Sequence, residues 1–228
     1  MLERQEKRRR NESGGVPADE KTIRRHAVYF FGDTYFPGAA LKNTFQILFI
    51  LVLLTEGAIL ALTLRNTLRS PEKSTAGDRG SMLLMMAGYW SAVFLNPVCV
   101  RALAPVLPEG LFWGGAVMML AGLFIRAYSV WTLGRFFTLQ VRADARQELV
   151  RSGPYRCVRH PAYTGSILTL LGIALAFRSP LGLAVTVLLC AAVYGYRIRV
   201  EEKAMEERFG EAYREYCGET WRLIPHVW

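Results

Sequence analysis

The segment from Ser152 to Gly165, SGPYRCVRHPAYTG, has the composition of a built binding site. It places a histidine, arginines and tyrosines between glycines and prolines, directly before an apolar run. Pro161 suits the first position of a helix, because its missing N–H costs nothing there and its φ is already helical. We therefore expect a helix that begins beside His160 and whose free N–H groups attract an anionic group. The alternative is that the RHP sequence only marks the basic boundary of a membrane helix.

A second group of ionisable residues follows the last apolar run, in RIRVEEKAMEERFGEAYREY. Arg197 and Glu201 are four residues apart, so they share one face of a helix. Apolar residues recur at helical spacing through the same segment and predict an amphipathic C-terminal helix. These residues are Ile198, Met205, Phe209, Tyr213 and Tyr216. The alternative for the Arg197–Glu201 pair is a solvated salt bridge just past a membrane span.

The elements that must position these residues are membrane helices. The chain has 228 residues, of which 52% are hydrophobic, and its apolar runs are long enough to cross a bilayer. The fold class predicted is all-α: a polytopic integral membrane protein with about five transmembrane helices, a helical hairpin and an amphipathic C-terminal helix. The predicted spans are Leu41 to Leu64, Met82 to Ala104, Leu111 to Leu133, Ser166 to Phe177 extended back to Pro161, and Leu181 to Tyr196.

Charge and composition divide the chain into three parts. Residues 1–25 form a basic tail that is expected to be mobile. Residues 26–133 hold an interfacial lead-in and the N-terminal membrane helices, and residues 134–228 form the half with the polar segments. With five spans, the basic stretches 65–81, 134–162 and 197–228 lie on one side of the membrane. The positive-inside rule makes that side cytoplasmic.

Several function classes are disfavoured by the sequence. The formal charge of +9 needs no nucleic acid, because basic loops next to anionic lipid explain it and no aromatic RNA-binding motif accompanies them. The cysteines are far apart, which predicts neither disulfides nor a metal site. They are Cys99, Cys157, Cys190 and Cys217.

Glu56 lies inside the first predicted span, where a structural helix-pairing role is favoured over a functional one.

The order of the polar segments resembles a known family. A glutamine-containing loop, FFTLQVRADARQELV, is followed by SGPYRCVRHPAYTG, a short hairpin, RIRVEE, and FGEAYREY before a final IP. This combination, from about Gly134 to Pro225, is similar to the isoprenylcysteine carboxyl methyltransferases and their phospholipid methyltransferase relatives. The resemblance implies an integral membrane S-adenosyl-L-methionine-dependent methyltransferase that acts on a lipid-like acceptor. Carboxyl O-methylation of an isoprenylcysteine-type substrate is the expected reaction, and phospholipid N-methylation is the alternative.

The resemblance also implies roles for individual residues. It assigns the cofactor pocket to Gln140, Gln147, Glu148, Leu149, Val150, Tyr155, His160, Pro161, Ala162, Tyr163 and Glu201. It assigns catalysis to Arg197, Glu201 and Glu202, with Arg197 binding the acceptor. The expected partners are the lipid bilayer and an amphiphilic or prenylated acceptor, with no nucleic acid and no obligate protein partner. The eukaryotic enzymes have a histidine-rich loop where this chain has Gln147 and Glu148, so this part of the pocket departs from the family pattern.

Two other function classes remain open from the sequence. Sterol reductases that bind NADPH have a partly similar C-terminal ending, but they are much longer than this chain. A non-enzymatic membrane protein that keeps the motif only as a fold boundary is the other possibility. Such a protein has no need to place His160, Arg197 and Glu201 together. Binding of S-adenosyl-L-methionine, as opposed to NADPH, distinguishes the three classes.

Overall fold

The computed structural model describes residues 35–36, 38–69, 78–102, 107–138 and 149–226. The chain divides into two compact units, Met1–Lys42 and Asn43–Trp228. In the first unit the described residues include the first turn of a helix, where the Lys42 N–H donates to the Gly38 carbonyl at 3.3 Å. The predicted basic tail 1–25 and most of the predicted interfacial lead-in lie outside the described residues.

The described residues contain six α-helices and no β-strand. The helices are α1 (Ala39–Arg69), α2 (Asp78–Ala102), α3 (Gly110–Leu133), α4 (Pro161–Ala176), α5 (Pro180–Phe209) and α6 (Glu211–Glu219). Short 3₁₀ helices cover Gly134–Phe136 and Gly153–Arg156. The predicted all-α class is therefore confirmed.

Four of these helices, α1, α2, α3 and α5, are long and apolar enough to cross a membrane. The predicted polytopic membrane architecture is confirmed in this respect. The remaining predicted span is α4, which begins at Pro161 as the proline rule indicates but has only 16 residues. It is therefore an apolar helix shorter than the other four.

Helices α3 and α4 approach each other so closely that their backbones touch. A Cβ atom added at Gly115 would lie 2.6 Å from the carbonyl oxygen of Gly172, and one added at Gly122 would lie 2.6 Å from that of Gly165. On each helix the two glycines are seven residues apart, so they lie on the same face. Small residues at membrane helix contacts allow this close approach. The glycines thereby bring the polar start of α4 against α3.

Gly165→Ala is expected to destabilise the protein by about 1–3 kcal/mol, because its methyl group has no space against the α3 backbone. Gly195→Ala in α5 is the matched control, since a Cβ there meets nothing within 4 Å. Thermal unfolding of both variants in the same detergent measures the difference. An unchanged melting temperature for Gly165→Ala would contradict the backbone contact.

Side chains join the other helices. On α2, the Asn96 amide donates to the Thr186 hydroxyl of α5 at 3.1 Å. The ring of Phe45 on α1 meets the ring of Phe177 edge-on, with centroids 5.1 Å apart. These contacts bring α1 and α2 together with the hairpin formed by α4 and α5.

The turn between α4 and α5 forms the predicted hairpin. Arg178 has a positive φ of 55°. The hydroxyl of Ser179 then caps α5 by accepting from the Gly182 N–H at 3.1 Å. Pro180 is the first residue of α5, where its missing N–H is not needed. The Arg-Ser-Pro sequence thus ends one helix and begins the next.

Helix α5 does not end at Tyr196, where the predicted span ended, but runs without interruption to Phe209. The predicted amphipathic C-terminal helix is instead divided at Gly210, whose positive φ of 52° ends α5 before α6 begins. The apolar stripe is therefore shared between two helices. As a result, Arg197 and Glu201 lie on the same helix as the last membrane span.

After α6, residues 220–226 return to the His160 motif, and we call them the C-terminal strap. Val158 and Trp221 form a parallel β-bridge. The Arg159 N–H donates to the Trp221 carbonyl at 2.7 Å, and the His160 N–H donates to the Arg222 carbonyl at 3.0 Å. The strap therefore holds the backbone directly in front of α4.

Candidate functional site

A cavity of about 450 Å³ lies among the membrane helices and the motif segments. Its ionisable lining includes Glu56, Arg126, Arg159, His160, Arg197 and Glu201. Its apolar lining includes Leu53, Leu60, Met82, Met85, Met86 and Trp90. A cavity that combines a few polar groups with a largely apolar wall is typical of a small-molecule site.

The structure brings most of the predicted site residues to this cavity. The ones that line it are Leu149, Val150, Tyr155, His160, Ala162, Tyr163, Arg197 and Glu201. Pro161 and Glu202 are described but do not line it. The predicted residues Gln140, Gln147 and Glu148 lie outside the described residues.

Glu201 is the centre of the polar cluster. One of its carboxylate oxygens, Oε1, accepts two hydrogen bonds. One comes from the Arg197 Nε at 2.9 Å and the other from the Tyr163 hydroxyl. Its other oxygen lies 3.5 Å from Nδ1 of His160. Arg197 is only 2% exposed and also donates to the Ser81 hydroxyl at 2.5 Å. The alternative of a solvated Arg197–Glu201 surface pair is therefore wrong, because Arg197 is buried and Glu201, whose side chain is 20% exposed, lines the cavity.

His160 lies between two carboxylates. Its Nδ1 faces Glu201 and its Nε2 faces Glu202, each at 3.5 Å. Burial by itself would lower the pKa of His160, but hydrogen bonding and attraction to the two carboxylates outweigh burial and raise that pKa above its ordinary value. The ring also stacks on Tyr163, with centroids 5.7 Å apart and planes inclined by 10°. The cavity wall therefore has a histidine that holds its proton more strongly than a free histidine does.

The start of α4 differs from the expectation of free N–H groups. The N–H groups of Tyr163 and Thr164 both donate to the His160 carbonyl, at 3.0 and 3.1 Å. The Thr164 bond is the ordinary first bond of an α-helix, but the Tyr163 bond satisfies a first-turn donor, so the expectation of a free N–H is wrong for Tyr163. An anion at this end would be held mainly by the His160 side chain.

Glu202 is directed towards the C-terminal strap. It accepts from the Nε of Arg159 at 3.2 Å and from the Nε of Arg222 at 2.9 Å. Arg159 also donates to the Cys217 carbonyl at 3.0 Å and to the carbonyl of Thr220. Glu202 thus joins α5 to the segment that follows α6.

Glu56 forms the helix-pairing contact that was favoured for it. Its carboxylate accepts from the Nη2 of Arg126 on α3 at 2.8 Å, and its second oxygen lies 2.6 Å from the Nε. The Nη1 of Arg126 also contacts α4, because it donates to the Ser166 hydroxyl at 2.6 Å. Three helices are therefore tied by one buried charged pair, and both members of the pair also line the cavity.

Sequence reasoning missed several residues that build the site. Tyr194 packs against Tyr163 with ring centroids 5.4 Å apart, and the Tyr216 hydroxyl donates to the Tyr155 carbonyl at 2.6 Å. The position of Tyr194, three residues before Arg197 on one helix, is a signal that could have indicated it. Burial, together with the nearby Glu201 carboxylate, raises the pKa of Tyr155 above its ordinary value, which keeps its phenol neutral.

Comparisons with known proteins identify the family to which the chain belongs. A family model for phospholipid methyltransferases matches residues 111–212, which include all of α4 and α5 and all of α3 except its first residue. A probable protein-S-isoprenylcysteine O-methyltransferase of Oryza sativa subsp. indica is 31% identical over 141 residues, which cover 60% of this chain and 74% of that relative. The chain belongs to the isoprenylcysteine carboxyl methyltransferase family. The resemblance found in the sequence is confirmed, and this family member is a membrane methyltransferase.

Two further proteins are similar to this family member. The protein-S-isoprenylcysteine O-methyltransferase of Saccharomyces cerevisiae is 30% identical over 115 residues, which are 50% of this chain and 48% of the yeast protein. The solved structure of a eukaryotic intramembrane Ras methyltransferase has a TM-score of 0.59 at 18% identity. That likeness covers 87% of this chain and 74% of the other, and it shows a shared fold.

Proposed function

We propose that this membrane methyltransferase uses S-adenosyl-L-methionine to methylate the carboxylate of an isoprenylcysteine-type acceptor. The observation that carries the proposal is the buried Arg197–Glu201–His160 cluster, which lies in the wall of a cavity that is otherwise largely apolar. Such a cavity suits an amphiphile with a polar head, because the cluster can bind the head while the apolar wall receives the chain.

The residues present fit the proposed cofactor. Glu201 supplies a carboxylate for the cofactor's cationic groups, and a protonated His160 supplies a charge-assisted donor for its carboxylate. The faces of Tyr155 and Tyr163 suit an adenine ring or a sulfonium. When bound, S-adenosyl-L-methionine supplies a methyl carbon that its sulfonium has already activated. The residues of the cavity then have to align the two reactants and exclude water.

The acceptor side of the proposal rests on Arg197. A carboxylate acceptor is ionised near neutral pH, so it needs no general base. A guanidinium group is suited to hold such a carboxylate through more than one N–H, and it also suits a phosphate headgroup. The side chains of Met82, Met85 and Met86 on α2 line the same cavity and can adapt to a flexible lipid chain.

Methylation assays with purified protein in lipid nanodiscs test the proposed function. N-acetyl-S-farnesylcysteine is expected to accept a radiolabelled methyl group, whereas its carboxamide, which lacks the carboxylate, is not. Phosphatidylethanolamine is the second acceptor to test, because the matching family model is that of phospholipid methyltransferases. Methylation of the phospholipid alone would replace the carboxyl proposal with N-methylation. Binding of NADPH in place of S-adenosyl-L-methionine would refute both.

His160→Ala and Tyr163→Ala are each expected to weaken S-adenosyl-L-methionine binding about 10-fold to 150-fold, the equivalent of a lost charge-assisted hydrogen bond of about 1.5 to 3 kcal/mol. Equilibrium binding of the radiolabelled cofactor measures the change. Tyr196→Ala is the control, because Tyr196 is exposed on α5. Full cofactor affinity in both cavity variants would remove His160 and Tyr163 from the proposed pocket.

We further infer that α4 crosses the membrane with α5 as a hairpin and that the active site faces the cytoplasm, because five spans put the basic stretches 65–81, 134–162 and 197–228 on one side. Single cysteines at Asp144 and Glu215, in a background in which Cys99, Cys157, Cys190 and Cys217 are replaced, are expected to react with an impermeant maleimide only after the membrane is opened. Labelling of either position in intact cells would reverse the inferred orientation.

A further inference from the structure

A continuous series of charged groups joins the C-terminal strap to the cavity. The Nε of Arg222 donates to the two oxygens of Glu202, at 2.9 and 3.1 Å. Glu202 lies 3.5 Å from Nε2 of His160, and the opposite nitrogen of that ring lies 3.5 Å from Glu201. Glu201 lines the cavity, whereas Glu202 and Arg222 do not. The imidazole ring therefore has one carboxylate on the cavity side and one on the strap side.

The strap also contacts the same place through the backbone. The His160 N–H donates to the Arg222 carbonyl at 3.0 Å. One turn into α4, the Thr164 hydroxyl donates to the Leu223 carbonyl at 2.8 Å. The strap thus restrains both the main chain and the side chain of His160.

We propose that Glu202 and Arg222 are positioning residues through which the C-terminal strap orients His160 and retains its proton for binding the anionic group of the cofactor. This inference rests on the proposed function and deepens it. It gives Glu202, which does not itself line the cavity, a role that follows from its contact with His160. It also assigns a function to the strap, which the catalytic scheme does not otherwise use.

The surroundings of His160 explain why the strap matters. The charged groups that face its ring are Glu201 and Glu202 from α5, while Tyr163 stacks on it from α4. In the described part of the chain, Arg222 and Arg159 both pair with Glu202, at 2.9 and 3.2 Å. Loss of the Glu202 charge leaves the buried imidazolium with a single carboxylate, so its proton is held less strongly. Loss of Arg222 keeps that charge but releases Glu202 from the strap.

Histidine titration tests the side-chain contact without any cofactor. The chain has only 3 histidines, so His160→Asn identifies the His160 signal in protein labelled with ¹³C-histidine. The pKa of His160 in Glu202→Gln is expected to be lower than in the wild type. In Arg214→Ala, the matched control, it is expected to be unchanged, because Arg214 pairs only with the exposed residues Glu206 and Glu211 among the contacts described.

Cofactor binding as a function of pH tests the consequence. Wild-type affinity for S-adenosyl-L-methionine is expected to fall as pH rises through the pKa of His160, because only the protonated ring carries a charge. In Glu202→Gln the fall is expected at lower pH. Arg222→Ala is expected to weaken binding about 10-fold at neutral pH, Arg222→Lys to restore part of the loss, and Arg214→Ala to bind as the wild type does.

The outcomes separate this inference from the proposed function. If the pKa of His160 in Glu202→Gln equals the wild-type pKa, and if Glu202→Gln and Arg222→Ala both bind the cofactor with wild-type affinity, the positioning role is wrong. If the wild type binds no S-adenosyl-L-methionine, the proposed function is wrong, and the titration alone still decides whether Glu202 sets the protonation of His160. If the pKa of His160 is lower in Glu202→Gln but the variants bind the cofactor with wild-type affinity, the strap has only a structural role and the inference is wrong.

Discussion

Arg197→Ala is expected to lower methyl transfer about 100-fold or more, because misplacing an acceptor by about 1 Å has an effect of that size. The guanidinium contacts Glu201, Tyr163 and Ser81, so its position is defined from three sides. Cofactor affinity is expected to fall less than in Glu201→Ala, since Glu201 keeps its contacts with Tyr163 and His160. Turnover and radiolabelled cofactor binding, measured on the same preparation, separate the two effects.

Two further substitutions make the Arg197 prediction specific. Arg197→Lys is expected to restore little activity, because an ammonium group cannot reproduce a planar fork of donors. Arg199→Ala is the matched control, because Arg199 lies two residues away on α5 and is exposed. A wild-type rate in Arg197→Ala would show that Arg197 is a boundary residue and that the proposed acceptor site is wrong.

Glu56→Ala is expected to destabilise the protein by about 3 to 5 kcal/mol, because it leaves the Arg126 charge buried without its carboxylate partner. Both side chains are mostly buried, at 15% and 11% exposure, and Arg126 also joins α3 to α4 through Ser166. Thermal unfolding in detergent measures the loss. Cofactor affinity is expected to decline with it, since the pair lines the same cavity.

The double variant Glu56→Leu with Arg126→Met distinguishes pairing from simple loss of packing. It removes both charges together, so it is expected to be more stable than Glu56→Ala. Glu207→Ala is the surface control, because its pair with Lys203 is exposed and spans 3.9 Å, and such pairs contribute little. Equal stability of Glu56→Ala and Glu207→Ala would show that the buried pair does not hold the helices.

The features that could be predicted from the sequence depend on local signals. Pro161 marked the start of α4, and the Arg-Ser-Pro turn marked the hairpin, because proline restricts only the residues beside it. Apolar runs located the long helices because the length and hydropathy of a membrane span are also local properties of the sequence. The spacing of Arg197 and Glu201 placed them on one helical face, and the structure pairs them at 2.9 Å.

The remaining features depend on contacts between distant residues. The bridge between Val158 and Trp221 joins positions more than 60 residues apart, and periodicity contains no information about such a pairing. The glycine contacts between α3 and α4 need two helices to meet in one register, which no single segment specifies. Ionised residues after Tyr196 suggested that the last span ended there, but polar contacts with the motif and the strap allow α5 to continue.

The unbroken course of α5 fixes the spacing of two groups that line the cavity. Tyr194 and Glu201 are seven residues apart on this helix, which corresponds to about 10 Å along its axis. Because the helix has no break between them, a vertical displacement of the last span moves both groups by the same amount. Insertion of one residue between them would turn Glu201 about 100° away from the cavity. The spacing of these two groups along the cavity is therefore set by the register of one helix and not by a loop.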